Sequence, residues 1–301
     1  MQKIMINDDI NKRIDSYLID VLNFSRSKIQ KMLKENYIKV NDKSIKNSYL
    51  LKKGDLIEIS DYEEEMPSIA AEDMNLDIVY EDDDVIVVNK ENGVVVHPAV
   101  GNANHTLVNG LMYHSKKLSD VNGSFRPGIV HRIDAYTTGL LMVAKNNEAH
   151  DFLAKQLEEK STTRKYVALV WGVIENDTGT IDAPIGRDRQ DRKKMAVTDQ
   201  NSKEAITHFK VLKRYKNATL IELKLETGRT HQIRVHMNYI GHPVVNDPVY
   251  GRRKKIDETG QCLHAKTIGF IHPRTKKYME FDSELPECFL NILNKFESEE
   301  V

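Results

Sequence analysis

The sequence predicts an α+β protein made of a small N-terminal module and a larger domain with a mainly antiparallel sheet. Segments rich in strand-forming residues recur along the chain, for instance at 166–173 and 205–226, the second with a turn near Lys216 and Asn217. Stretches in which apolar residues recur at helical spacing are fewer and shorter. The chain has 301 residues, of which 40% are apolar and 30% charged, so it can form two buried cores and is not disordered throughout.

The first 60 residues predict a compact α/β module. Apolar residues recur at helical spacing in two stretches, and Ser25 or Ser27 is placed to cap the second helix. Short strands are expected at 37–42 and 56–59. The buried helix faces are expected to be formed by Ile14, Leu18, Val21 and Leu22 in the first helix, and by Ile29, Met32 and Leu33 in the second.

Charge is unevenly distributed although the net charge is only -1. Residues 1–60 carry 12 Lys or Arg against 8 Asp or Glu, and residues 85–301 carry 32 against 26. Two net-basic blocks are typical of surfaces that face nucleic acid, although an ordinary solvated surface explains the charge equally well. The acidic stretch 61–77 has no sustained period, so we expect a linker there between domains at 1–60 and 78–301.

Two further elements are predicted in the larger domain. Apolar runs at 85–88 and 94–96 flank Asn92 and Gly93, which predicts a hairpin with a tight turn. Apolar residues at helical spacing predict a helix at 147–159.

A polar segment at 126–139 precedes the apolar run 140–143 and carries His131, Arg132 and Asp134. Polar side chains held next to a core could serve acid–base chemistry, phosphate contact or nucleophilic attack. They could equally well only stabilise a turn, with Arg132 paired to Asp134. The residues alone leave these interpretations open.

A second polar segment, 226–236, opens a predicted helix from about His231 to Ile240. Thr230 is placed to cap this helix. Arg234 would lie beside the apolar face of this helix. Burying a guanidinium there costs free energy unless a carboxylate accepts its hydrogen bonds. Asp134 is the economical candidate for that carboxylate.

Several classes of protein are excluded by patterns that the sequence lacks. It has no run of eighteen apolar residues and no secretion signal in its first residues, so we expect a cytoplasmic protein without a membrane span. Cys262 and Cys288 are too few for a zinc ribbon or a disulfide framework. His231 and His236 diverge around a helix, and no phosphate-binding glycine motif is present, so we expect no metal and no nucleotide cofactor.

Short motifs in the N-terminal module resemble the S4-like RNA-binding domain over roughly residues 10–60. The motifs are Arg13-Ile-Asp, Ser25-Arg-Ser, Lys39-Val-Asn and Lys52-Lys-Gly-Asp. Nearly the whole chain resembles RNA pseudouridine synthases of the RluA/RluD family. The motifs that carry this second resemblance are Arg126-Pro-Gly-Ile-Val-His-Arg-Ile-Asp134, Arg164-Lys-Tyr166-Val-Ala-Leu-Val-Trp-Gly172, Gly228-Arg-Thr-His-Gln-Ile-Arg234-Val-His and Gly241-His-Pro.

The second resemblance implies an isomerase that converts uridine to pseudouridine in structured RNA, most similar to enzymes of large-subunit ribosomal RNA. It implies that Asp134 is the catalytic aspartate, that Tyr166 lies against the target base, and that Arg234 forms a salt bridge with Asp134. Arg132 would fill the space left by a flipped nucleotide, and Ile233 would close the apolar wall of the pocket. The remaining residues expected to contact substrate are His131 and Arg229.

An isomerisation without redox change or group transfer needs no cofactor, which agrees with the missing motifs. The expected partner is RNA, and we expect a monomer. Basic runs at 185–194 and 252–255 are candidate phosphate contacts, although charge runs are often only solvated surface.

The sequence departs from the usual family pattern directly after the catalytic aspartate. Ala135 and Tyr136 stand where a basic and an acidic residue are common, and Thr138 replaces a commoner serine. Glu91 and Asn246 replace a frequent proline and a frequent glycine. These changes leave open an alternative function, a non-catalytic RNA-binding ribosome-assembly factor that retains the synthase scaffold. A hydrolase acting on a small nucleoside fits poorly with an RNA-binding module.

Overall fold

The computed structural model describes residues 2–8, 10–22, 24, 26–62, 69–99, 101–123, 126–251 and 255–298. The chain divides into two compact units, Met1–Pro67 and Ser68–Val301. Residues 69–76, which we assigned to the linker, pack on the larger unit. There the side-chain amide of Asn109 donates to the carbonyl of Ala70 at 2.8 Å, and Leu76 packs against the core.

The N-terminal unit is a three-stranded antiparallel sheet packed against two helices. Its elements are β1 (Gln2–Met5), α1 (Ile14–Leu22), α2 (Arg26–Lys34), β2 (Ile38–Val40) and β3 (Leu56–Ile59), with β3 in the middle of the sheet. The two helices and the later two strands are confirmed, whereas β1 was not predicted. The expectation that Val21 is buried is wrong, because it lies at the edge of the stripe formed by Ile14, Leu18 and Leu22 and is 45% exposed. The proposed caps Ser25 and Ser27 lie outside the described side chains.

The larger unit is built on a nine-stranded sheet. Its strands are β4 (Asp77–Glu81), β5 (Val85–Lys90), β6 (Thr138–Ala144), β7 (Thr163–Trp171), β8 (Thr178–Asp182), β11 (Ile206–Arg214), β12 (Ala218–Leu225), β13 (Leu263–Ile271) and β14 (Tyr278–Asp282), and β9 (Ile185–Arg187) with β10 (Met195–Val197) forms a separate ribbon. The strand order is β4-β5-β6-β13-β7-β12-β11-β8, with β14 paired to β13. In the described ranges every pairing between these strands is antiparallel except that of β6 with β13, so the predicted sheet type is confirmed.

Helices cover both faces of this sheet. They are α3 (Leu107–His114), α4 (Asn147–Glu158), α5 (Gln232–Tyr239) and α6 (Glu287–Glu297). The predicted helix at 147–159 is confirmed as α4, and it begins after Asn146, whose side chain accepts a hydrogen bond from the N–H of Ala149 at 2.9 Å. No helix in the described parts of the chain combines the length and the apolar character that a membrane span requires.

The strand β6 is buried along its whole length. Leu140 and Met142 pack in the cluster that contains α4, whereas Leu141 and Val143 pack in the cluster that contains α3 and α5. A strand covered on both faces needs apolar residues at every position, which explains the continuous apolar run.

The predicted hairpin around Asn92 and Gly93 is wrong. The strand β5 pairs with β4 and β6, and residues 94–96 form no strand. Val95 makes only an isolated bridge to Thr106, and its carbonyl accepts the N–H of Leu107 at 2.8 Å. The apolar run therefore bonds to the start of α3 instead of returning along β5.

The parallel pairing of β6 with β13 depends on a glycine. Gly139 has a φ of 108° and lies opposite Ala265. A Cβ at this position would collide with the carbonyl oxygen of Ala265. This close approach fixes the start of β6, and with it the loop that precedes the strand.

Candidate active site

All seven residues predicted to form the site line one cavity in the larger unit, with a volume of about 490 Å³. The loop before β6, the strand β7, the turn before α5 and α5 itself contribute to its walls. The predicted residues found there are His131, Arg132, Asp134, Tyr166, Arg229, Ile233 and Arg234.

The loop that carries Asp134 is held at three points. The N–H of Met142 donates to Nε2 of His131 at 3.1 Å, and the N–H of Thr137 donates to the carbonyl of Asp134 at 3.1 Å. The Nζ of Lys90 donates to the carbonyl of Ala135 at 2.7 Å. The carboxylate of Asp134, about 20% exposed, is thus presented to the cavity from a fixed backbone.

The turn into α5 differs from the prediction. The helix begins at Gln232, and the residue before it, His231, takes a left-handed φ of 57° without a capping side chain. The expectation that Thr230 caps this helix is therefore wrong. Instead, Oε1 of Gln232 accepts the N–H of Arg229 at 2.9 Å, so a side chain from inside the helix holds the turn.

Arg234 forms the predicted salt bridge with Asp134, since its Nη1 donates to Oδ2 at 2.8 Å. A second carboxylate, which we did not predict, belongs to Asp247. It receives Nε of Arg234 at 2.7 Å and Nη2 at 2.8 Å in a bidentate pair. Asp247 also accepts the backbone N–H groups of Val249 and Tyr250.

This arrangement makes the charge of Arg234 permanent. Burial alone would lower its pKa, but the hydrogen bonds and charges of Asp247 and Asp134 raise it. Burial would likewise raise the pKa of Asp247, but its contacts with Arg234 lower it. Asp247 therefore fixes the guanidinium, and the guanidinium in turn orients Asp134.

Part of the cavity lining is aromatic and apolar. Tyr166 on β7 is only 8% exposed, and Ile233 is 4% exposed. Burial raises the pKa of Tyr166, so the phenol is neutral at physiological pH. A neutral ring beside an aliphatic side chain can receive the flat face of a base.

The other predicted residues differ in what they can offer a substrate. Arg132 is exposed at the mouth of the cavity, and Arg229 is half-buried with its Nε bonded to the carbonyl of Glu204 at 2.8 Å. Burial lowers the pKa of His131 to about 3, so this ring stays neutral and accepts the Met142 N–H described above.

Sequence reasoning missed Lys90, which is 2% exposed beside the Asp134 loop. Burial lowers the pKa of Lys90 to about 7, although the negative charges of Asp134 and Glu91 oppose this shift. In the sequence, a lysine at the end of an apolar strand is the signal that could have indicated a buried cation here. Its contact with the site could not be predicted in this way, because the Ala135 carbonyl that accepts from its Nζ lies 45 residues away.

Lys90 predicts a specific pH dependence of stability. Between about pH 7 and 10 the unfolded chain holds a proton on this lysine that the folded chain lacks, so folding stability gains from rising pH. We expect the free energy of unfolding of the wild type to rise by up to about 1.4 kcal/mol per pH unit relative to Lys90→Met. Denaturant titrations of both proteins between pH 7 and 9 measure this, and parallel pH profiles would contradict it.

Two of the residues that depart from the family pattern, Tyr136 and Asn246, lie against Gly260. The ring of Tyr136 packs directly on Gly260. Asn246 takes a left-handed φ of 63°, and its side chain bonds to the carbonyl of Gly260 at 2.9 Å and to the N–H of Ile256 at 2.8 Å. The side chains of Tyr136 and Asn246 thus stabilise the loop 256–260.

The structure gives fewer contacts for the two basic runs, 185–194 and 252–255, than for the cavity. The ribbon of β9 and β10 carries the first run, where Nη1 of Arg187 donates to the carbonyl of Arg192 at 2.9 Å. Most of the second run, residues 252–254, lies outside the described residues, and Lys255 pairs with Glu258 at 3.1 Å.

Comparisons with known proteins identify the family of the chain. A family model described as RNA pseudouridylate synthase matches residues 84–239, and an S4 domain model matches residues 12–57. The chain is 55% identical to a Bacillus subtilis (strain 168) protein named "Uncharacterized RNA pseudouridine synthase YlyB", over 94% of this chain and 93% of the relative. It is 43% identical to "Ribosomal large subunit pseudouridine synthase D" of Pseudomonas aeruginosa, over 90% and 87% of the two chains.

Comparison with a solved structure identifies the same family. Human RNA Pseudouridylate Synthase Domain Containing 1 superposes with a TM-score of 0.60 at 30% sequence identity, covering 74% of this chain and 88% of the human one. The match of the family model covers more than half of the chain, and the bacterial relatives align over nearly all of it. The chain therefore belongs to the RNA pseudouridine synthase family and is an isomerase that converts uridine to pseudouridine in RNA.

Proposed function

We propose that this protein modifies specific uridines in large-subunit ribosomal RNA and that Asp134 is its catalytic residue. The observation that carries the proposal is the carboxylate of Asp134, held by Arg234 at 2.8 Å, in the same cavity as the ring of Tyr166. A cavity of about 490 Å³ lies in the size range of sites that enclose small organic ligands, and so has room for a nucleotide.

The target uridine must leave its stack to reach Asp134, which costs a few kcal/mol. Stacking of the base on Tyr166 and contact with Ile233 offset this cost. Arg132, exposed at the mouth of the cavity, is placed to fill the gap that the nucleotide leaves in the RNA.

Two chemical routes start from the ionised carboxylate. In the first, an oxygen of Asp134 forms a bond to C1′ of the ribose while the C1′–N1 bond breaks and its electron pair goes to the uracil. In the second, Asp134 accepts a sugar proton after the C1′–N1 bond has broken. In both routes the uracil turns and C5 forms the new bond to C1′. In the first route this new bond displaces the Asp134 carboxylate from C1′, and in the second the proton held by Asp134 returns to the sugar carbon. C5 then loses its proton and N1 gains one, so the isomerisation balances without a cofactor.

The N-terminal unit supports a structured RNA target. It matches the S4 domain model, and several relatives carry the name "Ribosomal large subunit pseudouridine synthase D". In this unit residues 1–60 carry 12 Lys or Arg against 8 Asp or Glu, so they can hold phosphates while the cavity inspects one nucleotide. Such a division is expected when affinity and chemistry use different surfaces. We further propose that the protein acts as a cytoplasmic monomer.

Mapping pseudouridines in the ribosomal RNA of a strain that lacks the protein tests the proposal. We expect one or a few large-subunit uridines to lose the modification and to regain it when the wild-type gene, but not the Asp134→Asn gene, is restored. An unchanged map, together with a defect in ribosome assembly that the Asp134→Asn gene repairs, would instead favour a non-catalytic assembly factor.

Stacking on Tyr166 predicts that Tyr166→Phe keeps most of the wild-type activity. Tyr166→Ala removes the ring, and the single-turnover rate should then fall by about 10- to 100-fold, since stacking of a base on an aromatic side chain contributes roughly 1–3 kcal/mol. Pseudouridine formation on a saturating RNA fragment measures both variants, with thermal unfolding as the check on folding. Equal losses in the two variants would show that the hydroxyl, not the ring face, carries the effect.

A further inference from the structure

The cavity contains a second buried arginine, Arg164, that has no carboxylate partner among the described residues. Arg164 lies on β7 two residues before Tyr166, so both side chains project from the same face of the strand and line the cavity. Arg164 is 7% exposed. Its Nη2 donates to the carbonyl of Glu226 at 3.1 Å, its Nε has no hydrogen-bond partner, and no described carboxylate lies within ion-pair distance.

This arrangement contrasts with that of Arg234, which lines the same cavity and is paired with two carboxylates, those of Asp134 and Asp247. Burial lowers the pKa of Arg164, which reflects the cost of removing an unpaired cation from water. Gly228 approaches this guanidinium closely, since a Cβ at Gly228 would lie 2.7 Å from Nη1 of Arg164. A buried cation with unused donors is suited to an anion that arrives with the substrate.

The RNA can supply two kinds of anion, a backbone phosphate or the uracil itself. Phosphates remain with the RNA backbone outside the cavity, where Arg132 is exposed. A uracil that lies against Tyr166 enters the cavity more deeply than the phosphates do. Positions two residues apart on a strand face are separated by roughly 7 Å, so the edge of that uracil comes near the guanidinium of Arg164. The buried position of Arg164 therefore favours the base over a phosphate as its anionic partner.

The proposed reaction generates negative charge on that base. When C1′–N1 breaks, the electron pair stays on the uracil, whose charge is shared by N1, O2 and O4. We propose that Arg164 donates hydrogen bonds to a uracil oxygen and stabilises this anion until C5 bonds to C1′. The inference rests on the proposed function and applies to both routes, because each passes through a separated uracil.

The first test compares Arg164→Met with the wild type on an unmodified RNA fragment. Removing one donor to a developing anion typically reduces a rate by about 10²- to 10³-fold, and we expect a loss of this size in the single-turnover rate with less than a twofold change in RNA affinity. Weaker binding with a shallower salt dependence and an unchanged saturated rate would assign Arg164 to a phosphate and overturn the proposal.

A 5-fluorouridine at the target position adds a readout that a purely structural role would not change. Fluorine withdraws electrons and stabilises the uracil anion without help from the protein. Because 5-fluorouridine has no C5 proton to lose, its reaction is followed as the disappearance of the 5-fluorouridine nucleoside, which reports cleavage of C1′–N1. The reduction in single-turnover rate caused by Arg164→Met should be at least tenfold smaller for this cleavage than for the reaction of uridine. Equal losses on the two RNAs would overturn the proposal.

Two further variants keep the test decisive. Arg164→Lys keeps the charge and should be faster than Arg164→Met; an equal or lower rate would contradict the proposal even if Arg164→Met folded poorly. Lys165→Met, on the other face of β7, serves as the matched control and should keep the wild-type rate. If the wild type is active and Arg164→Met equals it, only this inference fails. If the wild type forms no pseudouridine in any RNA, the proposed function fails as well.

Discussion

Replacement of Asp134 by asparagine is expected to reduce the single-turnover rate of pseudouridine formation by about 10⁴-fold or more, the size of loss seen when a catalytic nucleophile is removed. The amide has nearly the same shape but carries no charge, so it neither attacks C1′ nor accepts a sugar proton. A fragment of unmodified ribosomal RNA, saturated with each protein, provides the measurement.

The same substitution should leave folding and RNA affinity nearly unchanged. Asp134 is partly exposed, and Arg234 keeps its bidentate partner Asp247 when the charge on Asp134 is lost. We therefore expect a change in the free energy of unfolding of about 1 kcal/mol or less. Asp151→Asn, an exposed carboxylate on α4 outside the cavity, is the matched control and should keep full activity. A wild-type rate for Asp134→Asn would remove this residue from the mechanism.

Arg234→Met should have the largest effect on stability. It leaves the fully buried carboxylate of Asp247 without its counter-ion, and breaking a buried pair from one side typically costs about 3–5 kcal/mol. Activity should be lost at the same time, because Asp134 loses the group that orients it. Denaturant unfolding and the single-turnover assay measure the two effects.

The double variant Arg234→Met/Asp247→Asn separates these consequences. Removing the stranded charge should restore part of the stability, so the two substitutions should be strongly non-additive. Activity should not return, since the salt bridge to Asp134 is still absent. An Arg234→Met protein as stable as the wild type would contradict the role of Asp247 as a buried counter-ion.

The pairing of Asp134 with Arg234 could be predicted because desolvation requires a partner for a buried guanidinium. Asp247 was not predicted because only one carboxylate was sought for Arg234. A guanidinium has five N–H donors, and a buried one rarely leaves three of them without an acceptor. The sequence Asn246-Asp247-Pro248, a polar turn between apolar residues, was the available signal.

Local backbone geometry was harder to predict than pairing. Thr230 has the side chain of a helix cap, yet the left-handed conformation of His231 moves the helix start past it. Residues 94–96 have the composition of a strand, yet they bond to the start of α3, while β5 pairs with β4 and β6. In both cases tertiary contacts, which composition does not encode, decided the local structure.

A crystal structure of the Asp134→Asn protein with unmodified target RNA would show whether an extruded uridine meets the side chain at position 134. We expect one uridine to lie outside its helix, with its base against Tyr166 and its C1′ within about 4 Å of that side chain, close to the separation of reacting atoms. A target uridine still stacked in the RNA, or bound with its ribose far from this side chain, would contradict this expectation.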